Sequence, residues 1–468
     1  MNRNRREFLN ASALGVASCI GTGPTGNRAL GQEQVQQPKN AAVTVELPRG
    51  RVPLSFIIDD STCLVNMGKF CMPQFAATYP ERASYHKPWQ DWPDEIPDSF
   101  VREFGQWCAE HGVKGKYSVV PYPACVGWLD RTLPGWSQKQ LQDSLKLVRD
   151  LMLPNWDIHP EMITHTRVID LKTGRPFQDY SPAHMENSYP QEDVSVDYLA
   201  SYLAYALQIV KNCDLPCEGI TTPGGFGNRV KAKLPVAVGE AVRDVYGCEL
   251  PHYFKYLEDA TWPKMEGVSG KQGGRRAIAE DQDLYNLVVN VPAGTGDWFG
   301  GWDGVLEPQA EKYCDQAAAS GRMVELIEAK QPAVMLCHWP GMYCNGSKSG
   351  FRAFQSVVQA LANRFGDQTQ WMKISEIARY WAAKEYTRVR LFEKRIELEA
   401  PFACPQFTLR LPGSQKANQA SKRQKVPGFK QVSTLASLLP GYVFYSELET
   451  WLCLDLAKGS SQIELGQS

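Results

Sequence analysis

The sequence predicts an α/β fold, an irregular (β/α) barrel followed by a small β-rich appendage. Two patterns lead to it. Across residues 51–385, short apolar runs of strand length alternate with amphipathic stretches of helical period. Strands separated by helices of about ten or more residues form parallel sheets covered on both faces. From residue 386 onward the pattern shortens to strand-like alternation. A span of roughly 330 residues and the number of repeats suit a closed or nearly closed barrel. A doubly wound open sheet is disfavoured, because no Gly-x-Gly-x-x-Gly follows the first apolar run.

Each element follows from local pattern. Residues 53–58 form an apolar run that stops at two consecutive carboxylates, Asp59 and Asp60. From Asp98, read as an N-cap, Val101, Phe104, Trp107 and Cys108 make one stripe of a helix that ends before Gly112. Residues 117–120 are the next strand. Ser137 caps a helix in which Leu141, Leu145, Val148 and Met152 recur at helical spacing. A strand ending at His165, a helix over 198–210 and a strand over 219–221 continue the alternation. Strands over 284–291 and 333–337 follow, then a helix marked by Phe351, Phe354, Val358 and Leu361. In the appendage, 389–392, 406–411 and 451–455 read as strands, and the basic stretch 414–430 as a solvated loop.

Composition narrows the function. With 50 Lys+Arg against 51 Asp+Glu the formal net charge is -1, so no global basic field is available for a nucleic-acid backbone. Thirteen cysteines in 468 residues are too few for a disulfide scaffold. Cys213 and Cys217 are the closest pair in a loop-like setting, and two unlinked thiols fit them equally well. Near the start, Arg5-Arg6-Glu7-Phe8-Leu9 followed by a short apolar stretch reads as a twin-arginine export signal over residues 1–31. Cleavage after Gly31 is preferred; the alternative, a lipobox at Val16-Ala17-Ser18-Cys19, would leave a lipid anchor on Cys19. Residues 32–50 are then a linker, and the mature chain is expected in the periplasm or outside the cell. No other segment approaches about 18 uninterrupted apolar residues.

Polar residues collect where the strands end. In α/β barrels the loops at the carboxyl ends of the strands converge on one mouth. Asp59-Asp60, His165, Thr222-Pro223 and His338 all occupy such positions. Together they resemble the polysaccharide deacetylase (NodB-like) family over roughly residues 53–381. The resemblance implies that Asp59 is the catalytic base, Asp60 and His165 are metal ligands, and His338 protonates the leaving group. Thr222 and Pro223 stand where the family carries its Arg-x-Pro motif. Two departures are visible. The family's second metal histidine would fall on Ile169, and its arginine is replaced. His159 is a poor substitute, since six residues of extended strand separate ligands by about 20 Å. Asp170 and His184 are alternatives, and the third protein ligand stays open.

The implied chemistry is hydrolysis. A divalent ion, zinc first and cobalt or nickel next, would polarise the carbonyl of an N-acetyl sugar and acidify a water. Asp297, Trp298 and Trp302 lie in one glycine-rich stretch and Trp339 follows the histidine strand. Indole faces stack on sugar rings while carboxylates bind hydroxyls, so these residues join Thr222 and Pro223 as candidates for carbohydrate binding. Two other readings stay open: a glycoside hydrolase using two of Asp59, Asp60, Asp297 and Asp303, and a member that binds glycan without turning it over. Asn345-Gly346-Ser347 reads as a loop. Of the seven histidines, His86, His111 and His252 have no evident partner.

Overall fold

In the computed structural model, which describes residues 43–267, 284–412 and 426–466, the alternation resolves into seven strands arranged as a ring. They are β1 (Val52–Asp59), β2 (Gly115–Ser118), β3 (Trp156–His159), β4 (Gly219–Thr221), β5 (His252–Phe254), β6 (Val288–Asn290) and β7 (Ala333–His338). The export signal, Cys19, most of the linker and residues 414–425 lie outside the described residues. Among the described residues no helix is long and apolar enough to cross a membrane.

β7, β1, β2 and β3, with Thr369–Trp371 also paired to β1, form one parallel sheet; β4, β5 and β6 run parallel in another, which Lys264–Glu266 joins antiparallel to β6. Sparse bonds join the two sheets at both seams. At one, the Thr221 amide donates to the Pro160 carbonyl (3.1 Å) and Glu161 bridges to Thr221. At the other, the Gly294 amide donates to the Val334 carbonyl (2.9 Å) and the Leu336 amide to the Thr295 hydroxyl (3.1 Å). Strands buried on both faces read as unbroken apolar runs, and all eight residues of β1 are buried. The faces nonetheless differ. Phe56 points to the helices, stacking on Phe354 at 4.3 Å and meeting Phe299 and Trp156 edge-on at 5.8 and 6.2 Å. Its neighbour strand must come close: a Cβ on Gly115 would lie 1.9 Å from the Phe56 carbonyl oxygen.

The helices cover the ring as their patterns predict. Ser137 forms a capping box with Gln140 ahead of Gln138–Leu147. The helix Asp98–Glu110 starts one residue earlier than its reading, so Asp98 is its first residue and accepts the Ser144 hydroxyl (2.7 Å).

Three expectations are corrected. β3 stops at His159 instead of running to His165, because Pro160 has no amide to continue the ladder and Met162 and His165 take positive φ (54° and 65°). Only Val288–Asn290 of 284–291 is strand, with a 3-10 turn over Leu284–Asn286 before it. Within the segment read as linker, Thr44–Val45 pairs antiparallel with the appendage strand Cys404–Pro412. That strand and Glu449–Leu456 form the appendage's core sheet. It docks on the helix Ile374–Tyr386, where the Tyr380 hydroxyl accepts the Thr408 amide (3.2 Å) and donates to the Glu46 carbonyl (2.9 Å).

The ring's interior is polar. His159 and His252, both buried, bring their Nε2 atoms to 2.9 Å across Gly219, where any Cβ would lie 2.4 Å from His159. One imidazole donates and the other accepts, so the two cannot both carry an extra proton. Burial pushes His159 down and holds His252 at about 4, Glu218 raising and Arg379 lowering the latter. Lys116 also lowers His159, and the Asp157 carboxylate stands 3.9 Å from His252. An unfolded histidine takes up its proton below about 6.5 whereas folded His252 resists to about 4. Stability therefore falls as pH drops through that window, by up to about 3 kcal/mol from this residue. Burial raises Asp157 to about 6, which offsets part of the loss below that pH. Thermal unfolding followed from pH 7.5 to 4 should show Tm falling, with a shallower fall in His252→Gln. Parallel curves for the two proteins would remove the pair from the account.

Candidate active site

The first and last strands of the ring bring two groups together by register. Asp59 at the end of β1 and His338 at the end of β7 are direct partners across a parallel pair. Neighbouring strands lie about 4.8 Å apart, so both side chains leave the sheet side by side at its carboxyl edge. One residue on, Asp60 leaves strand geometry with φ of 57° and turns the chain toward the end of β3.

There three donors converge. Asp60, Glu161 and His165 place a carboxylate oxygen each and a ring nitrogen within 4.8 Å of one another, all buried. Nε2 of His165 is 2.6 Å from Oδ1 of Asp60 and 3.3 Å from Oε1 of Glu161. The other Glu161 oxygen accepts the Asp60 amide (2.7 Å). No hydrogen-bond donor is aligned on either Asp60 oxygen, although both are buried. Buried carboxylate oxygens are costly without a donor or a cation. For His165, burial opposes its charge, but the Asp60 and Glu161 carboxylates outweigh that and raise it well above the usual imidazole range. Burial likewise raises Glu161, and His165, Lys116 and the Asp60 amide reverse this, holding it at about 2. The cluster demands positive charge, which a proton on His165 or a divalent ion supplies. Two oxygens and one imidazole nitrogen on three sides are a donor set that fits such an ion.

Asp59 faces a different partner. Lys116 of β2 is fully buried, and its ammonium donates to Asp59 Oδ1, to the Ile58 carbonyl (3.0 Å) and to the Ser118 hydroxyl (2.8 Å). All three of its protons are thereby used. Burial and the Glu161 charge raise Asp59 to about 7, against Lys116 and His338, which lower it. A carboxylate in that range accepts a proton readily near neutral pH.

His338 is held by Asp297, whose Oδ2 accepts both the His338 amide (3.0 Å) and Nδ1 (2.9 Å). Burial opposes the imidazolium, but the bond to Asp297 and the charges of Asp60, Asp297 and Asp59 raise it to about 10. His338 therefore carries a proton over the neutral range, with Nε2 left to donate. Trp302 lies beside it, ring centroids 5.9 Å apart.

The other sequence candidates are distributed as follows. Trp298 is half-buried, 5.0 Å from the Tyr313 ring. Thr222 and Pro223 are buried at the end of β4, and the Thr222 hydroxyl has no hydrogen-bond partner. Asp303 pairs with Lys87 (2.7 Å), and Asp297 with His338, so each of these carboxylates already holds a cationic group. Trp339 is corrected: it is 1% exposed and packed between Phe100 (4.8 Å), Phe104 (5.1 Å) and Tyr117 (5.6 Å), which makes it a core residue closed to ligand. The two replacements offered for the missing histidine, Asp170 and His184, are corrected as well, whereas His159 is the poor substitute its spacing implies. His159 is occupied by His252; Asp170 accepts the Lys172 amide and Thr173 hydroxyl of its own turn (both 3.0 Å); His184 pairs with Asp179 (3.0 Å). Ile169 is buried core.

Sequence reasoning missed Glu161 and Lys116. Glu161 lay in plain view four residues before His165, but the position was read as strand, in which four residues span about 13 Å. The proline before it was the available signal for a turn. Lys116 precedes Tyr117 at a position that alternation assigns to the ring's interior, a place where an unpaired lysine does not occur.

No protein-family model matches the chain, and no curated protein matches it in sequence. Solved structures share only part of its geometry. A probable polysaccharide deacetylase from Pseudomonas aeruginosa is 9% identical over 71% of this chain and 91% of its own, with a TM-score of 0.37. A candidate glycoside hydrolase/deacetylase from Parabacteroides distasonis is 12% identical over 79% of this chain and 76% of its own, with a TM-score of 0.39. A 4-alpha-glucanotransferase from Thermococcus litoralis is 14% identical, with a TM-score of 0.35, the match covering 70% of this chain and 40% of that one.

Proposed function

We propose that this chain is an exported, metal-dependent hydrolase that removes acetyl groups from an N-acetyl sugar or polysaccharide. The observation that carries the reading is the side-by-side register of Asp59 and His338 next to the Asp60, Glu161 and His165 donors. Those three residues would hold a divalent ion, zinc foremost with cobalt or nickel next, whose chemistry is to polarise the acetyl carbonyl and acidify a water.

The chain's own groups supply the proton transfers. Asp59, one oxygen fixed by Lys116, accepts the proton of the attacking water at its other oxygen. As the new C–O bond forms and the C–N bond breaks, His338 donates its Nε2 proton to the departing nitrogen, leaving acetate and a free amine. Asp297 keeps the other nitrogen, Nδ1, in hydrogen bond and steadies the imidazolium before transfer. Trp302 beside His338 offers an indole face against which a pyranose ring can stack. Two carboxylates with separate partners divide the labour: Asp60 is one of the metal donors, and Asp59 takes and returns the proton.

Metal content of the purified chain after loading with zinc, cobalt or nickel tests the centre. One equivalent is expected in the parent, with loss in Asp60→Ala, Glu161→Ala and His165→Ala. A parent that retains no metal ends the metal-dependent reading; bound metal without acetate release from acetylated oligosaccharides favours a glycan-binding role. The acid is tested by pH dependence. Activity requires protonated His338, so it should be lost as pH rises through about 10. In Asp297→Asn that alkaline limb should move down toward the ordinary imidazole value near 6.5. An unmoved limb would exclude His338 as the acid.

A further inference from the structure

One fully buried carboxylate has no part in that chemistry. Glu186, in the 3-10 turn Glu186–Ser188, is 0% exposed. Its Oε2 accepts the amides of Thr164 (3.0 Å) and His165 (2.6 Å), and its Oε1 accepts the amide of Ile163 (3.1 Å) and the hydroxyl of Tyr202 (2.5 Å). Its own amide donates to the Thr166 carbonyl (2.7 Å). A single carboxylate thus gathers three consecutive amides from the loop that carries Glu161 and His165.

Successive amides point at one anion only where the chain curls into a nest. The curl is evident in Met162 and His165, whose φ values of 54° and 65° lie in the left-handed region that side-chain-bearing residues avoid. Neither is glycine, so the loop sequence does not favour this shape by itself. Four donors converging on the two oxygens of one carboxylate offset such strain. The turn that holds Glu186 is anchored in its own right: Tyr79 bonds the side chains of Asn187 and Ser188 (both 2.9 Å), and the Gly225 amide donates to the Asn187 carbonyl (2.7 Å).

We propose that Glu186 is a positioning residue of the metal centre, holding loop 161–165 in the curl that sets Glu161 and His165 beside Asp60. It touches no reacting atom and acts through the backbone of the loop that carries the two ligands. The inference rests on the metal reading above, and its test separates the two.

Glu186→Gln keeps the shape but turns one acceptor into an amide that faces backbone donors; Glu186→Asp keeps the carboxyl group with a shorter reach. Two quantities are measured on the full chain: the dissociation constant for Co²⁺ by titration calorimetry, and hydrogen exchange at amides 163–165 in metal-free protein. In Glu186→Gln, Co²⁺ binding should weaken about 10- to 100-fold, the range for residues that orient metal ligands. Exchange at 163–165 should accelerate while exchange in β1 and β2 stays as in the parent. Glu186→Asp should fall between the two. Unchanged affinity and unchanged exchange in folded Glu186→Gln overturn the proposal. Should that variant not fold, parent-like values in Glu186→Asp overturn it. A parent that binds no Co²⁺ sinks the metal reading instead, and exchange at 163–165 then decides separately whether Glu186 holds the loop.

Discussion

The parallel pairing of β1 with β7 is the constraint on which the rest depends. It joins segments far apart in the chain, and a parallel pair can form only after the intervening helices have folded back over the sheet. Once the register is set at Leu54 with Ala333, it runs without a break to Asp59 with His338. A slip of one residue would turn either side chain to the other face of the sheet and separate the two groups. The apolar residues of the two strands, buried among the covering helices, specify that register. Packing of the hydrophobic layer thereby places a carboxylate and an imidazole side by side.

A second constraint is electrostatic. The mouth and the interior of the ring hold Asp59, Asp60, Glu161, Glu186, Lys116, His165 and His252, each almost wholly removed from water. An unpaired buried charge is strongly destabilising. The structure answers with partners of definite geometry: a lysine whose three protons are all engaged, a carboxylate that gathers three amides, two imidazoles that share one bond. Those partnerships also tune the chemistry. The surroundings that raise Asp59 to about 7 and His338 to about 10 make one a proton acceptor and the other a proton donor over the same neutral range.

Much of this was legible in the sequence. Strands such as 333–337 stand out because a parallel strand buried on both faces is apolar throughout, and its end is marked by the first polar residue, which at a barrel mouth is also where chemistry sits. Asp59, Asp60 and His338 stand at such strand ends. The strand reading for His165 fails: the strand before it ends at His159, and the residue reaches Asp60 and Glu161 from a curled loop. Glu161 escaped because a strand reading places it far from His165. Trp339 is misplaced by its sequence because an indole next to a strand-end histidine looks the same whether it faces the mouth or the core.

By itself, then, the sequence determined the periodicities, and with them the alternation of strands and helices, the ring's apolar layers and the polar residues that end its strands. These are local properties, set by side-chain spacing along one segment. Only the tertiary structure decided which polar groups became partners. Glu161 joins Asp60 and His165, Lys116 joins Asp59, Asp297 joins His338 and Glu186 joins the backbone of loop 161–165 through contacts between segments distant in the chain. The physical reason is that a buried charge must find its counterpart in three dimensions, and spacing along the chain carries no record of which counterpart the folded ring will bring within reach.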